Sequence, residues 1–343
     1  MAEIKRQTEL DILRLLATLA VIMIHGGLNP LTDNLMIKYM YRGMHAAIVW
    51  CVPVFFMISG RFFLDPERDV SAKKILTVYL PHIIVPFLVW SGVYTAYGLI
   101  SGSYSHLSTF GVIAEFIHGP YHLWFLYSLA GLYLLTPILR KAAADEKTLA
   151  YFLIMFAAVN VVTQYLIYVP KIGGMISDFI ERTGLRAVTG YMGYFMLGYF
   201  LYSKKDNMSK KTETAIYVIG ILMLIATIAA ECFISEELRK TDFVKQYMKP
   251  NVILYSAAIY TFFVMKMSKI YYSERTRKVF AVFTECGFGV YCIHAILNEF
   301  VPTPVIKSLP FITSLLRVAC LYALSLALTW LIRKIPFVGK KIT

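Results

Sequence analysis

The sequence predicts an all-α membrane protein, a polytopic bundle of about ten transmembrane helices with both termini in the cytoplasm. Three observations predict it: the composition, the apolar runs and the placement of charge. Hydrophobic residues make up 58% of the 343 residues and charged residues only 16%, whereas an average soluble domain has roughly 25% charged residues. The mean hydropathy is +0.62. This composition excludes a soluble enzyme, a disordered protein and a secreted disulfide scaffold.

The apolar runs are the second observation, because crossing the hydrocarbon layer takes about 20 residues of α-helix. Ten runs approach that length, and the short, glycine-rich sixth run has the least certain ends. They span residues 10–28, 43–64, 75–99, 122–139, 148–169, 188–202, 214–235, 250–267, 279–297 and 311–332. The loops between them are short, so we expect a single integral membrane domain over residues 1–343.

The placement of Lys and Arg is the third observation. With the N terminus inside, 21 loop cations lie on the cytoplasmic side and 10 on the other. Because Lys and Arg accumulate in cytoplasmic loops, this bias predicts two cytoplasmic termini and an even number of spans. It also accounts for the net charge of +13, so we expect a lipid bilayer as partner and no nucleic acid.

Ionisable residues inside the first span are the strongest functional candidates, because charge in a membrane is costly. Asp11 and Arg14 are three residues apart, which predicts that they share a helix face and form a pair. His25 follows Arg14 by eleven residues, which on an α-helix is nearly the same face about 16 Å further along. Snorkelling at the helix ends is the alternative interpretation.

The second span ends in small and basic residues. Ser59 and Gly60 are typical of close helix packing, and Arg61 follows them. Arg61, Arg68, Lys73 and Lys74 lie on the predicted cytoplasmic side with Arg14. Because Arg and Lys bind phosphate, a phosphate-bearing cytosolic ligand would meet them in one region. Ordinary positive-inside charge explains the loop lysines equally well.

The remaining candidates are two histidines. His122 lies at the outer end of the fourth span, and His294 lies near the outer end of the ninth, at a depth similar to that of His25. The five cysteines have neither CxxC spacing nor a histidine pattern, so we expect no metal.

Four motifs in order along the chain resemble the acyltransferase family 3 membrane proteins. The sequence differs from the family pattern at two places. Arg61 replaces a usually apolar residue, and Lys73, Lys74 and Thr77 replace an RxxR pair found in some members. The motifs are Arg14 and His25 with Leu10, Asp11 and Leu13 before them; Phe55, Phe56, Ser59 and Gly60, with KKILTVYLP ending at Pro81; HLWFL at His122–Leu126 with Pro137; and Tyr291 with His294.

The resemblance implies an acyl-CoA-dependent O-acyltransferase of the stand-alone type in the cell membrane, the bacterial cytoplasmic membrane in particular. It implies transfer of an acyl group, commonly acetyl, to a hydroxyl of an envelope glycan or a lipid-linked acceptor. Coenzyme A is a polyanion and suits the basic inner mouth, and its long arm would bring the thioester towards His25.

The residues then take the following expected roles. His25 is the general base, because imidazole titrates near neutral pH. Arg14 positions the donor and Asp11 orients Arg14. The further donor contacts are Arg61, Ser59, Lys73 and Lys74, and the residues lining the substrate path are His122 and His294. A covalent acyl-enzyme on Ser59 is disfavoured, because the sequence places no base beside it.

Two other functions fit the same residues. In a glycan exporter, flippase or small-solute permease, intramembrane Arg and His line a path and do no chemistry. A membrane scaffold for an envelope-synthesis complex would tolerate loss of Arg14 and His25. The sequence leaves the acceptor, the acyl group and the oligomeric state open.

Overall fold

The computed structural model describes residues 6–27, 34–234, 243–302 and 310–343. Regular structure in these ranges is helical without a strand, which confirms the all-α prediction. The helices are α1 (Thr8–Ile22), α2 (Leu35–Ile48), α3 (Cys51–Phe63), α4 (Ala72–Lys74), α5 (Pro81–Ile100), α6 (Thr109–His118), α7 (Trp124–Ala144), α8 (Glu146–Gln164), α9 (Gly173–Arg182), α10 (Tyr191–Ser203), α11 (Lys210–Phe233), α12 (Pro250–Met265), α13 (Glu274–Phe300), α14 (Pro310–Arg333) and α15 (Gly339–Ile342).

Nine helical segments of the described chain are long and apolar enough to cross a membrane. They match nine of the ten predicted runs. The exception is run 188–202, where α10 has only 13 residues and a length of about 20 Å, which is less than the roughly 30 Å hydrocarbon layer. The second span, Leu35–Phe63, begins earlier than the predicted run 43–64. The sequence pattern missed its first part because Lys38 and Arg42 lower the hydropathy of α2.

Short polar side chains start several of these helices by accepting a hydrogen bond from the first turn, where backbone N–H groups lack helical partners. Asp145 caps α8 by accepting from the Thr148 backbone N at 2.8 Å and from the Thr148 hydroxyl at 2.6 Å. These bonds to the charged form hold the pKa of Asp145 below its usual value. Ser209 caps α11 in the same way through Thr212 N, at 3.1 Å.

The described residues form two compact units. Unit 1 takes the described residues of Met1–Arg68 and Ile138–Ala281, and unit 2 those of Asp69–Pro137 and Val282–Thr343. Two of the boundaries between the units fall inside helices, one in α7 directly after Pro137 and one in α13 after Ala281. Unit 1 contains α1, α2, α3 and α8 to α12, and therefore Asp11, Arg14, His25 and Arg61.

Glycines let the backbones of α3 and α10 touch inside unit 1. A Cβ atom on Gly60 would lie 1.8 Å from the carbonyl oxygen of Phe195, and one on Gly198 would lie 2.1 Å from that of Met57. Such distances are far below van der Waals contact, and a backbone atom does not move aside as a side-chain end does. The prediction of close helix packing is therefore confirmed at Gly60, with α10 as the partner.

We expect Gly60→Ala to destabilise the protein by about 3 kcal/mol, at the upper end of what overpacking usually costs. The matched control is Gly131→Ala in α7, where an added Cβ meets nothing within 4 Å and better helix propensity should leave stability unchanged or slightly higher. Thermal unfolding in lipid nanodiscs measures both. Equal unfolding temperatures for the two variants would contradict the backbone contact.

Candidate active site

The polar residues at the start of α1 form an ion-paired group. An Nη of Arg14 lies 3.2 Å from Oδ1 of Asp11, which confirms the predicted pair. Arg6, just before the helix, places its Nε 2.6 Å from Oδ2 of the same carboxylate. Asp11 is buried, with 4% of its side chain exposed, and it pairs with two guanidinium side chains that stay partly exposed, at 42% for Arg6 and 28% for Arg14. Sequence reasoning missed Arg6, because it precedes α1 and has no helical spacing to Asp11.

His25 lies at the opposite end of the same helical segment. After Ile22 the helix continues as a π-helical turn, Met23–Gly27, in which His25 is half-buried. A π-helical turn bonds residue i to i+5 and is frequent at functional sites. It changes the direction of each following side chain relative to α-helical spacing. The α-helical spacing on which the shared face of Arg14 and His25 was predicted therefore holds only up to Ile22. That His25 lies on the same face as Arg14 remains a prediction.

Three guanidinium groups surround the ring of Phe62, which follows Arg61 on α3. The Cζ atoms of Arg14, Arg61 and Arg68 lie 5.1, 5.6 and 4.3 Å from the ring centroid. Asp65 accepts from Arg61 at 2.5 Å and lies 4.0 Å from Arg68. We call Phe62, Arg14, Arg61 and Arg68 the Phe62 cluster. The structure thus brings together three of the cations that the sequence placed in one region.

Arg140 of α7 fixes the turn that carries two members of this cluster. One of its Nη atoms donates to the carbonyl oxygens of Phe63 at 2.7 Å and Asp65 at 2.8 Å, and the other donates to that of Arg68 at 3.0 Å. Charge-assisted bonds are stronger than neutral ones, so the turn after α3 is held in one conformation. The sequence analysis missed this role, because the partners are backbone groups some 70 residues away.

A cavity of about 380 Å³ opens at the same end of unit 1 as the first residues of α1. We call it the basic cavity, because four cations and two acidic residues line it. The cations come from four separate segments of unit 1, so no sequence motif predicted them. They are Arg6, Lys205, Lys269 and Arg277, and the acidic residues are Glu9 and Asp206.

Tyr202 joins the basic cavity to the Phe62 cluster. The Arg61 Cζ lies 3.5 Å from the Tyr202 ring centroid, and the Lys205 Nζ lies 4.6 Å from it. The hydroxyl of Tyr202 accepts from Gln7 Nε2 at 2.5 Å. Because a ring face attracts cations, Tyr202 holds one cation of the Phe62 cluster and one of the basic cavity. The Phe62 cluster and the basic cavity therefore form one continuous basic region.

The remaining predicted donor contacts have other surroundings. Ser59 donates its hydroxyl proton to the carbonyl oxygen of Phe55 at 2.8 Å, a helix-internal bond that suits packing better than nucleophilic attack. Lys73 and Lys74 belong to unit 2, where the Lys74 Nζ lies 3.5 Å from Asp69. The donor-contact assignments of these three residues remain predictions.

His122 and His294 meet inside unit 2. Their ring centroids are 5.1 Å apart, and the residues are 2% and 0% exposed. His294 Nδ1 donates to Tyr291 O at 2.7 Å, and the hydroxyl of Tyr291 donates to the carbonyl oxygen of His122. Two motifs 170 residues apart therefore form one buried cluster. Their lining of the substrate path remains a prediction.

The end of unit 1 near Gln164 carries a caged lysine. Lys249, directly before α12, is fully buried and donates from Nζ to the Gln164 carbonyl oxygen at 2.5 Å. Its Nζ lies 3.7, 4.7 and 5.3 Å from the ring centroids of Phe243, Tyr165 and Tyr168. Burial lowers the pKa of Lys249 to about 8, because the ammonium loses its hydration.

Among the described residues, no group of three or more His, Cys, Asp or Glu side chains is placed to hold a metal ion. Acyl transfer needs a base, a donor site and an acceptor site. The α1 segment offers an imidazole at one end and a guanidinium-rich, phosphate-compatible region at the other.

Comparison with known protein families agrees with a protein of acyl-transfer chemistry. The family model for the acyltransferase domain of acyltransferase family 3 matches residues 7–334, nearly the whole chain. The protein therefore belongs to the acyltransferase family 3, and it is an all-α, multi-pass membrane protein of acyl-transfer chemistry. The comparisons with curated proteins and with solved structures found no match.

We expect the wild-type protein to gain stability as the pH rises from about 8 towards 10.5, the folded and ordinary pKa values of Lys249. In this interval the unfolded chain binds one more proton at Lys249 than the folded protein, so raising the pH favours folding. Lys249→Met removes this contribution. Unfolding temperatures of both proteins across this pH range measure it, and parallel curves would contradict the lowered pKa.

Proposed function

We propose that the protein transfers an acyl group, acetyl in the first instance, from cytoplasmic acyl-CoA to a hydroxyl of an envelope glycan or lipid-linked acceptor. The site of action would be the cell membrane, the bacterial cytoplasmic membrane in particular. The observation that carries the proposal is the basic region at the start of α1, on the helical segment that ends in His25.

The charge of the basic region supports a polyanionic donor. Asp11 and Asp65 each lie within 4.0 Å of two guanidinium groups. Four guanidinium groups therefore share two carboxylates, and the pairing leaves a net positive charge. The basic cavity adds Lys205, Lys269 and Arg277, which Glu9 and Asp206 partly balance. Arg and Lys suit the phosphates of a nucleotide, and the pantetheine arm would extend from here along α1.

The chemical step assigns the proton to His25. The imidazole takes the proton of the acceptor hydroxyl while the hydroxyl oxygen attacks the thioester carbonyl carbon. The carbon–sulfur bond then breaks, and the imidazolium returns the proton to the departing thiolate. The products are the acyl ester and the free thiol of coenzyme A. Arg14 positions the donor, and Asp11 holds Arg14 in place.

We expect His25→Ala to lower the rate of thiol release in the presence of acceptor by about 100-fold or more, the usual contribution of a general base. The matched control is His106→Ala, an exposed histidine in the loop before α6, which should retain wild-type rates. Arg14→Ala should raise the KM for acyl-CoA. The assay uses purified protein in nanodiscs with acetyl-CoA and a glycan acceptor.

Wild-type product yield in both His25→Ala and Arg14→Ala at equal protein levels would refute the assignment. A carrier gives a different result, since it moves solute across vesicles and releases no thiol.

The basic cavity yields a second expectation. Replacing Lys269 and Arg277 by Gln should raise the KM for acetyl-CoA by about 100-fold or more, because each charged hydrogen bond contributes about 1.5–3 kcal/mol and about 1.4 kcal/mol is a factor of ten, while kcat changes little. The control is Lys278→Gln, an exposed lysine that pairs with Glu274 at 2.6 Å on the same helix. If the double variant and the control have the same KM, the donor does not bind in this cavity.

A further inference from the structure

A second cavity, of about 320 Å³, lies in unit 1 away from the start of α1. Four separate parts of the chain line it: α2 and the residue after it, the last residue of α8, the first residue of α10, and the segment before α12. We call it the outer cavity, after the side of the membrane that the charge bias predicts for it. Its polar and aromatic lining comprises His45, Gln164, Tyr191, Lys245, Gln246 and Tyr247.

Hydrogen bonds from neighbouring residues fix the backbone of three of these walls. The hydroxyl of Tyr255 donates to Ala46 O at 3.0 Å, next to His45. Lys249 donates to the carbonyl oxygen of Gln164, and the hydroxyl of Tyr194 donates to that of Tyr247. The donors are all buried, so the cavity is formed before any ligand arrives, and binding costs little reorganisation.

The lining combines ring faces, amides and balanced charge. The ring centroids of Tyr191 and Tyr247 lie 6.4 Å apart, and the planes of the two rings meet at 56°. The two ring faces therefore point in different directions. Gln164 and Gln246 carry amides, which both donate and accept hydrogen bonds. Lys245 pairs with the buried Glu231 at 3.2 Å, so its charge is already compensated. This chemistry fits a neutral ligand that has both hydroxyl groups and C–H faces, as a sugar ring does.

The outer cavity also shares a wall with the turn that carries His25. Val49 and Tyr247 line the cavity. In the core, Ile24 and Tyr247 pack against the buried group of Val49, Val252 and Tyr255. Ile24 directly precedes His25 in the π-helical turn, so the cavity lining and that turn pack against the same buried group.

From this lining and this position, we propose that the outer cavity is the acceptor subsite and binds one or two uncharged sugar rings. Its volume lies at the lower end of the roughly 300–1,000 Å³ typical of small-molecule sites, which suits one or two rings of a longer chain. The assignment rests on the proposed acyl transfer for its role, while sugar binding itself does not depend on that transfer.

The test is equilibrium binding without acyl-CoA, which separates the two proposals. Maltose, cellobiose and diacetylchitobiose are titrated into the protein in nanodiscs, with glycerol phosphate and a uronic-acid disaccharide as charged comparators. We expect at least one neutral disaccharide to bind. The double variant Gln164→Leu with Gln246→Leu keeps the side-chain size and removes both amides, so it should weaken that binding about tenfold or more.

The matched control is Asn207→Leu, the same change of chemistry in the exposed loop after α10, which should bind as the wild type does. In the transfer assay the double variant should raise the acceptor KM and leave the acetyl-CoA KM unchanged. Unfolding temperatures establish that each variant is folded.

Failure of either proposal has its own signature. The subsite is overturned if no neutral disaccharide binds, if only the charged probes bind, or if the folded double variant binds neutral sugar as well as the wild type. Sugar binding that depends on the two glutamines, without any thiol release, supports the sugar site and refutes acyl transfer.

Discussion

The contact between the backbones of α3 and α10 is the constraint on which the candidate donor site depends. It exists because Gly60 and Gly198 have no Cβ where the carbonyl oxygens of Phe195 and Met57 approach. Arg61 follows Gly60 directly, and Tyr202 lies one turn after Gly198, so the contact brings the Arg61 guanidinium to 3.5 Å from the Tyr202 ring centroid. Without it, Tyr202 would no longer contact both Arg61 of the Phe62 cluster and Lys205 of the basic cavity.

Charge in a membrane segment is tolerated when it is paired and partly screened by protein. Here two carboxylates organise four guanidinium groups, and the Phe62 and Tyr202 rings cover guanidinium faces. The arrangement lowers the cost of holding Arg14 and Arg61 near the membrane, yet it does not neutralise them. A region that is stable without ligand and still positive is what a reversible polyanion site requires.

Unit 1 differs in chemistry between its two ends. The cavity near Thr8 is lined by four cations and two acidic residues among its polar groups, whereas the outer cavity has rings, amides and a compensated lysine. One helical segment, Thr8–Gly27, carries Asp11 and Arg14 towards the first end and His25 towards the second. This division suits a reaction whose two substrates differ in charge and arrive from opposite sides of a membrane.

The helices, their apolar faces and the family follow from the order of residues alone, because hydropathy, helical spacing and short motifs are local properties. The Asp11–Arg14 pair follows from a spacing of three residues, and the packing role of Gly60 follows from its size. The folded arrangement of the helices is what brings Arg6, Arg140 and Tyr202 to the basic region and Gln164 and Gln246 to one cavity. These residues meet across helices distant in the chain, and no local pattern encodes which helices become neighbours. The length of α10 and the π-helical turn at His25 also come from the structure, because α-helical spacing alone predicts neither.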